Sequence, residues 1–99
     1  MAIPEGVTAI ENSTFAYCSA LKTVNWFDAP ITKIGWDAFY YCPALESLTL
    51  PETLTFIDSE AFRNCKSIKK LVIPNSVEKI SNHAFSGLTS LTNLTIGNQ

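Results

Sequence analysis

The chain carries no excess of positive charge, no paired cysteines and no long apolar run, and each absence closes off a class of function. Seven Lys and Arg against nine Asp and Glu give a formal net charge of -2, which lacks the basic face that nucleic-acid binding usually requires. The apolar stretches are a few residues long, far short of the roughly 20 that cross a bilayer as a helix, so no membrane insertion is expected. Met1-Ala2-Ile3-Pro4 shows neither a basic nor an apolar leader region, and no secretory signal is expected within this chain. The three cysteines have no C-x-x-C spacing, and the single histidine, His83, falls at a different repeat position. Neither a metal nor another cofactor is therefore expected. His83 has no candidate nucleophile or orienting carboxylate at neighbouring positions, and Asp58 and Glu60 fall in a turn where acids suit a helix N-terminus. The expectation is a protein that is not an enzyme.

What is present is a folded-core composition: 99 residues, 46% apolar and 16% charged, which suits one compact domain over residues 1–99 rather than a disordered chain. The apolar residues are ordered in columns. Phe15, Phe39, Phe62 and Phe85 recur at a constant interval, except for one extra position between the first two, and Cys18, Cys42, Cys65 and Leu88 repeat that spacing. Further columns are Leu21, Leu45, Ile68, Leu91; Val24, Leu48, Leu71, Leu94; and Trp26, Leu50, Ile73, Ile96. Upstream lie Val7, Ile31, Leu54, Val77 and Ile10, Ile34, Ile57, Ile80. The chain thus reads as four tandem units, approximately 3–25, 26–49, 50–72 and 73–95, with the start of a fifth at 96–99. The one extra residue falls in Phe27-Asp28-Ala29-Pro30, opposite Pro51-Glu52-Thr53 and Pro74-Asn75-Ser76, a turn where an insertion costs least.

Within a unit, Leu48-Thr49-Leu50 alternates apolar and polar and Pro51 then ends the pairing, as expected of a strand with one buried face. Thr55-Phe56-Ile57 is long enough for a second short strand. The segment from Asp58 to Cys65 opens with capping residues and suggests one helical or 3-10 turn. No single unit can bury its own columns, so stability must come from stacking neighbours about 4.8 Å apart. The predicted fold is an α/β solenoid of four stacked repeats, a parallel β-sheet on one face and short helical or 3-10 turns opposite, without evident caps. Stacking in sequence order also separates charge. Residues 1–60 hold eight acids and two bases, a local charge of -6, whereas residues 61–99 hold five bases and one acid, a local charge of +4. An acidic first half facing the basic last half of another copy makes a homo-oligomer, assembled head to tail, the alternative to a binding module.

Ala38-Phe39-Tyr40-Tyr41-Cys42, Ala61-Phe62-Arg63-Asn64-Cys65 and Leu71-Val72-Ile73-Pro74-Asn75-Ser76-Val77 resemble the BspA-like leucine-rich repeat family, with its pattern IPxSVxxIxxxAFxxCxxLxxL. The resemblance covers essentially residues 3–97. It departs at Thr14, where the pattern has alanine, at Leu88, where it has cysteine, and at Phe27-Asp28, which interrupt the proline turn. It implies the solenoid fold, a protein partner such as a host or cell-surface protein, and an extracellular or cell-surface location. It carries no catalytic residues.

Two groups of residues are candidates for the binding surface. The strand alternation turns Thr23, Asn25, Ser47, Thr49, Lys70, Val72, Asn93 and Thr95 outward, either as a binding face or simply as residues that pair neighbouring strands well. Aromatic residues of the second unit form the other group. Trp36 occupies a column otherwise filled by Asn12, Ser59 and Asn82, Phe27 replaces a turn residue, Tyr40 follows Trp36 at i+4, and Tyr41 shares a column with Tyr17. Such side chains are enriched where interfaces concentrate their energy, although Trp36 could instead fold over Phe27 and close the local bulge.

Overall fold

A computed structural model describes Ile3 and residues 6–26 and 29–96. Strands β1 (Ala9–Ile10), β2 (Lys33–Ile34), β4 (Phe56–Ile57) and β6 (Lys79–Ile80) form one parallel sheet, while β3 (Ser47–Thr49), β5 (Lys70–Ile73) and β7 (Asn93–Ile96) form another. The registers follow the repeat: Ile10 pairs with Ile34, Ile34 with Ile57 and Ile57 with Ile80, and Leu48 pairs with Leu71 and Leu71 with Leu94. Successive coils therefore stack in sequence order, and the acidic and basic halves of the chain occupy opposite ends of the solenoid axis.

The apolar columns become continuous ladders inside the coil. Phe15, Phe39, Phe62 and Phe85 stack ring on ring, with centroids 5.1, 4.9 and 5.3 Å apart. Phe39, Phe62, Ile34, Ile57, Leu45 and Ile68 have no exposed surface. The cysteine column runs beside them as free thiols. Each inner thiol donates to a carbonyl one coil earlier, Cys42 Sγ to Phe15 O at 3.2 Å and Cys65 Sγ to Phe39 O at 3.1 Å. These contacts let a small polarizable group sit in the core with its hydrogen spoken for.

The expected helical or 3-10 turns are absent among the described residues, and the reason lies in where the backbone N–H groups go. In the second coil, Asp37, Phe39 and Tyr41 donate to Ser59, Ala61 and Arg63 of the next coil, while Ala38 and Tyr40 donate locally, three residues back, to Gly35 and Asp37. The same alternation appears in the first coil at Ser13, Phe15 and Tyr17 and in the third at Glu60, Phe62 and Asn64. An α-helix needs its N–H groups for bonds four residues back, and here every second one is committed to a neighbour. To aim them there, the chain takes positive φ at two positions per coil: Ser13 and Tyr17, Asp37 and Tyr41, Glu60 and Asn64, His83 and Gly87. The architecture is a β-solenoid with two parallel sheets and a ladder of tight turns, not an α/β one. The fifth-unit residues 97–99 lie outside the described residues.

Candidate functional site

Strands β3 and β5 present the alternation expected from the sequence, whereas β7, on the last described rung, is exposed throughout. Leu48 and Leu71 are buried, while Ser47, Thr49, Lys70, Asn93 and Thr95 are exposed and Val72 is half-buried. In the first coil Thr23 and Asn25 continue the exposed face. Trp26, one residue further, turns in and donates its indole N–H to Thr49 O at 2.8 Å, which ties the first coil to the second. Six of the predicted residues, Thr23, Asn25, Ser47, Thr49, Val72 and Thr95, line an open groove of about 1460 Å³ running across the coils. Its wall is formed by the proline turns Pro51-Glu52-Thr53 and Pro74-Asn75-Ser76. Lys70 and Asn93, at the start of β5 and β7, lie outside that lining.

The groove is rich in hydroxyl and amide groups, and Glu52 is the sole formal charge among the described residues of its lining. Thr53 Oγ1 is satisfied by Ile31 O at 2.7 Å. Ser76 Oγ, at the equivalent place one coil later, is buried without a hydrogen-bond partner. The wall residues could not be recognised from strand alternation, since they belong to the turns. Their signal was the repeated proline that ends each strand.

The aromatic candidates occupy a different face. Trp36 is 46% exposed, so its column does face water, and its backbone N–H is held by Asn12 Oδ1 at 2.9 Å. Phe27 lies outside the described residues. Tyr40 and Tyr41 are brought together with a residue not selected from the sequence, Tyr17. The Tyr17 ring stands 5.4 Å from that of Tyr40 at an interplanar angle of 83°, and 5.9 Å from that of Tyr41 at 54°. The shared column of Tyr17 and Tyr41 was the available signal.

Other titratable groups on the turn ladder do not assemble a reactive centre. Arg63 and Glu60 pair at 3.3 Å. The Asp37 carboxyl is held above its ordinary range by burial and by the charge of Glu60, with Arg63 opposing. His83, for which no nucleophile was expected nearby, has Ser86 Oγ 3.1 Å from its Nδ1. His83 is exposed and neither residue lines the groove. Contact with the Cys42 thiol, and then burial, push the Cys65 thiol well above the ordinary thiol range. Such a sulfur is a poor nucleophile and a poor metal ligand. No group of three His, Cys, Asp or Glu side chains suited to a metal ion occurs among the described residues, and they form no helix long and apolar enough to cross a membrane.

The stacked coils, their common register and the Phe and Cys ladders find a counterpart in a family model described as "BspA type Leucine rich repeat region (6 copies)", which matches residues 1–99. The chain belongs to the BspA-type leucine-rich repeat family. Among solved leucine-rich structures, this BspA-type chain is similar to a leucine rich cell surface protein from Faecalibacterium prausnitzii, at 29% identity and TM-score 0.86, over 100% of this chain and 32% of that one. It is also similar to a leucine-rich repeat protein from Bacteroides ovatus, at 34% identity and TM-score 0.84, over 90% of this chain and 23% of that one. A leucine rich repeat protein of T. pallidum superposes with TM-score 0.86 at 27% identity, over 96% of this chain and 47% of that one. The BspA-type chain thus spans between about a quarter and a half of the length of these relatives. No curated protein matches it significantly.

Proposed function

We propose that the chain is a non-enzymatic protein-binding module of a cell-surface protein, with the groove beside the outward sheet as its contact surface. The observation that carries this reading is the convergence of Thr23, Asn25, Ser47, Thr49, Val72 and Thr95 on one continuous groove. Lys70 and Asn93 extend the contact surface along the same sheet face. Similarity to a cell surface protein supports an extracellular location and a host or cell-surface protein as partner. Solenoids of this kind offer extended surfaces in which many modest contacts add up. A groove with little charge favours a partner segment bound through hydrogen bonds and apolar contact rather than by ion pairing.

The test is surface plasmon resonance of the chain against immobilised extracellular-matrix proteins. Thr49→Arg combined with Ser47→Arg changes only exposed, outward positions, so the fold should persist while affinity falls at least tenfold. Undiminished binding by that variant would remove the groove from the contact surface.

A second reading, a structural unit stacking head to tail, is favoured by one observation. Ile80, Leu94 and Ile96 leave 44, 52 and 64% of their surface exposed on the last described rung. A second copy, or a following coil of a longer array, would cover the same rung. Light scattering across protein concentrations and a salt series separates the two readings, since a monomer under all conditions excludes self-assembly.

A further inference from the structure

The turn ladder carries a feature that the groove does not use. Its last positive-φ column consists of Tyr17, Tyr41, Asn64 and Gly87, with φ of 62, 55, 63 and 79°. Asparagine and glycine tolerate this backbone, whereas a bulky aromatic residue there is a genuine outlier. Two coils nevertheless place tyrosine in it, and both side chains remain in water, Tyr17 at 65% and Tyr41 at 40% exposure. Strain kept at a surface position that contributes little to the core points to a use for the side chain. Tyr40, half-buried, completes a cluster in which Tyr17 touches both other rings.

The geometry points to a platform on which Tyr17, Tyr40 and Tyr41 stack the pyranose ring of a neutral carbohydrate. The rings contact one another with centroids 5.4 and 5.9 Å apart. A proline ring inserted between two aromatic walls needs about 7 Å, two van der Waals contacts, so this cluster offers no slot for a proline-rich segment. It offers instead the exposed rings of Tyr17 and Tyr41, with Tyr40 set nearly perpendicular to Tyr17. An aromatic face is electron-rich, and the C–H groups of a pyranose present the complementary polarity. Around that stack, phenol hydroxyls can both donate and accept toward sugar hydroxyls. The charge of the surroundings selects among stacking partners. Arg63, which follows Tyr40 in its column, is paired with Glu60 at 3.3 Å, so the cation nearest in register is already neutralised and gives a nucleotide or a sulfated glycan little to pair with.

The experiment titrates the chain with cellohexaose, maltohexaose and chitohexaose, read by calorimetry and by the NMR signals of the tyrosine rings. At least one sugar should bind and shift the Tyr17, Tyr40 and Tyr41 resonances. Tyr17→Asn with Tyr41→Asn installs the residue already used at Asn64; it should unfold cooperatively and bind at least tenfold more weakly. The groove variant Thr49→Arg should bind the sugar normally. If the double variant fails to fold, Tyr17→Asn alone, at the most exposed of the three rings, gives the same reading. Absence of binding by all three sugars, binding that survives the tyrosine changes, or a polyproline peptide that shifts these resonances while the sugars do not, would each overturn the assignment.

Discussion

The rings of Phe39 and Phe62 lie 4.9 Å apart and within 6° of parallel, in the middle of a four-ring stack that runs the length of the solenoid. Both are fully buried. Each ring packs against a neighbour on either side, so truncation leaves a cavity that the adjacent coils cannot fill independently. Phe62→Ala should cost about 3–5 kcal/mol, and adding Phe39→Ala should depart measurably from additivity because the two share a contact. Urea unfolding of the two single variants and the double variant measures both quantities.

The Cys65 thiol is held above the ordinary thiol range by the Cys42 thiol and by burial. The unfolded thiol ionises at about pH 8.5, so above that pH the unfolded state loses a proton that the folded state keeps. Stability associated with Cys65 is therefore fully present below about pH 8.5 and falls as pH rises further, and the opposite shift of Cys42 in the same pair lessens the fall without reversing it, because burial raises both thiols. Denaturant midpoints measured between about pH 7 and 10, a range that brackets this ionisation, should show the decline, and Cys65→Ala should flatten it. In the native state at mildly alkaline pH, Cys65 should react with a thiol reagent far more slowly than under denaturing conditions.

Asp37 has its carboxyl raised by burial and by Glu60, against the opposing charge of Arg63, and its backbone has φ of 58°. A raised carboxyl means that the folded state binds the proton more readily, so the contribution of Asp37 is most favourable at low pH and is lost as pH rises through the folded value. Asp37→Asn removes the charge and keeps a side chain suited to positive φ. The variant should melt above the parent at neutral pH, with the gap closing as the medium is acidified into the carboxylate range, in a thermal series across that interval.

A β-carbon on Gly35 would fall 2.5 Å from Asn12 Oδ1, 2.8 Å from Asn12 N and 2.9 Å from Ile10 O. Two of these three atoms are backbone of the preceding coil, which also accepts the Gly35 N–H at Ile10 O. Gly35→Ala should destabilise by about 1–3 kcal/mol. Shortening the side chain with Asn12→Ala should not rescue it, because the backbone contacts remain; calorimetric melting of the two single variants and their combination decides this.

Trp36 is 46% exposed in a column where the next coil has Ser59. Trp36→Ser should shift the melting temperature by no more than a few degrees. A larger drop would mean that the indole supports its coil rather than facing a partner.

The sequence by itself determined the rungs. A shared interval in every apolar column, lengthened by the same single position between the first two units, leaves one way for equivalent residues to stack, and Ile34, Phe39, Cys42 and Leu48 fall on those ladders as their columns require. It also determined the outward face, because Ser47, Thr49 and Val72 alternate with Leu48 and Leu71. The turn ladder was decided by tertiary structure. Residues 58–65 contain helix-capping side chains, but the N–H groups of Glu60, Phe62 and Asn64 are taken by carbonyls of the next coil, partners that no local propensity can express. The groove had the same origin, since its floor comes from strands and its wall from proline turns that meet only when coils stack. Tyr17 joined Tyr40 and Tyr41 for the same reason: positions one full repeat apart become neighbours once a coil has closed and the next is laid upon it.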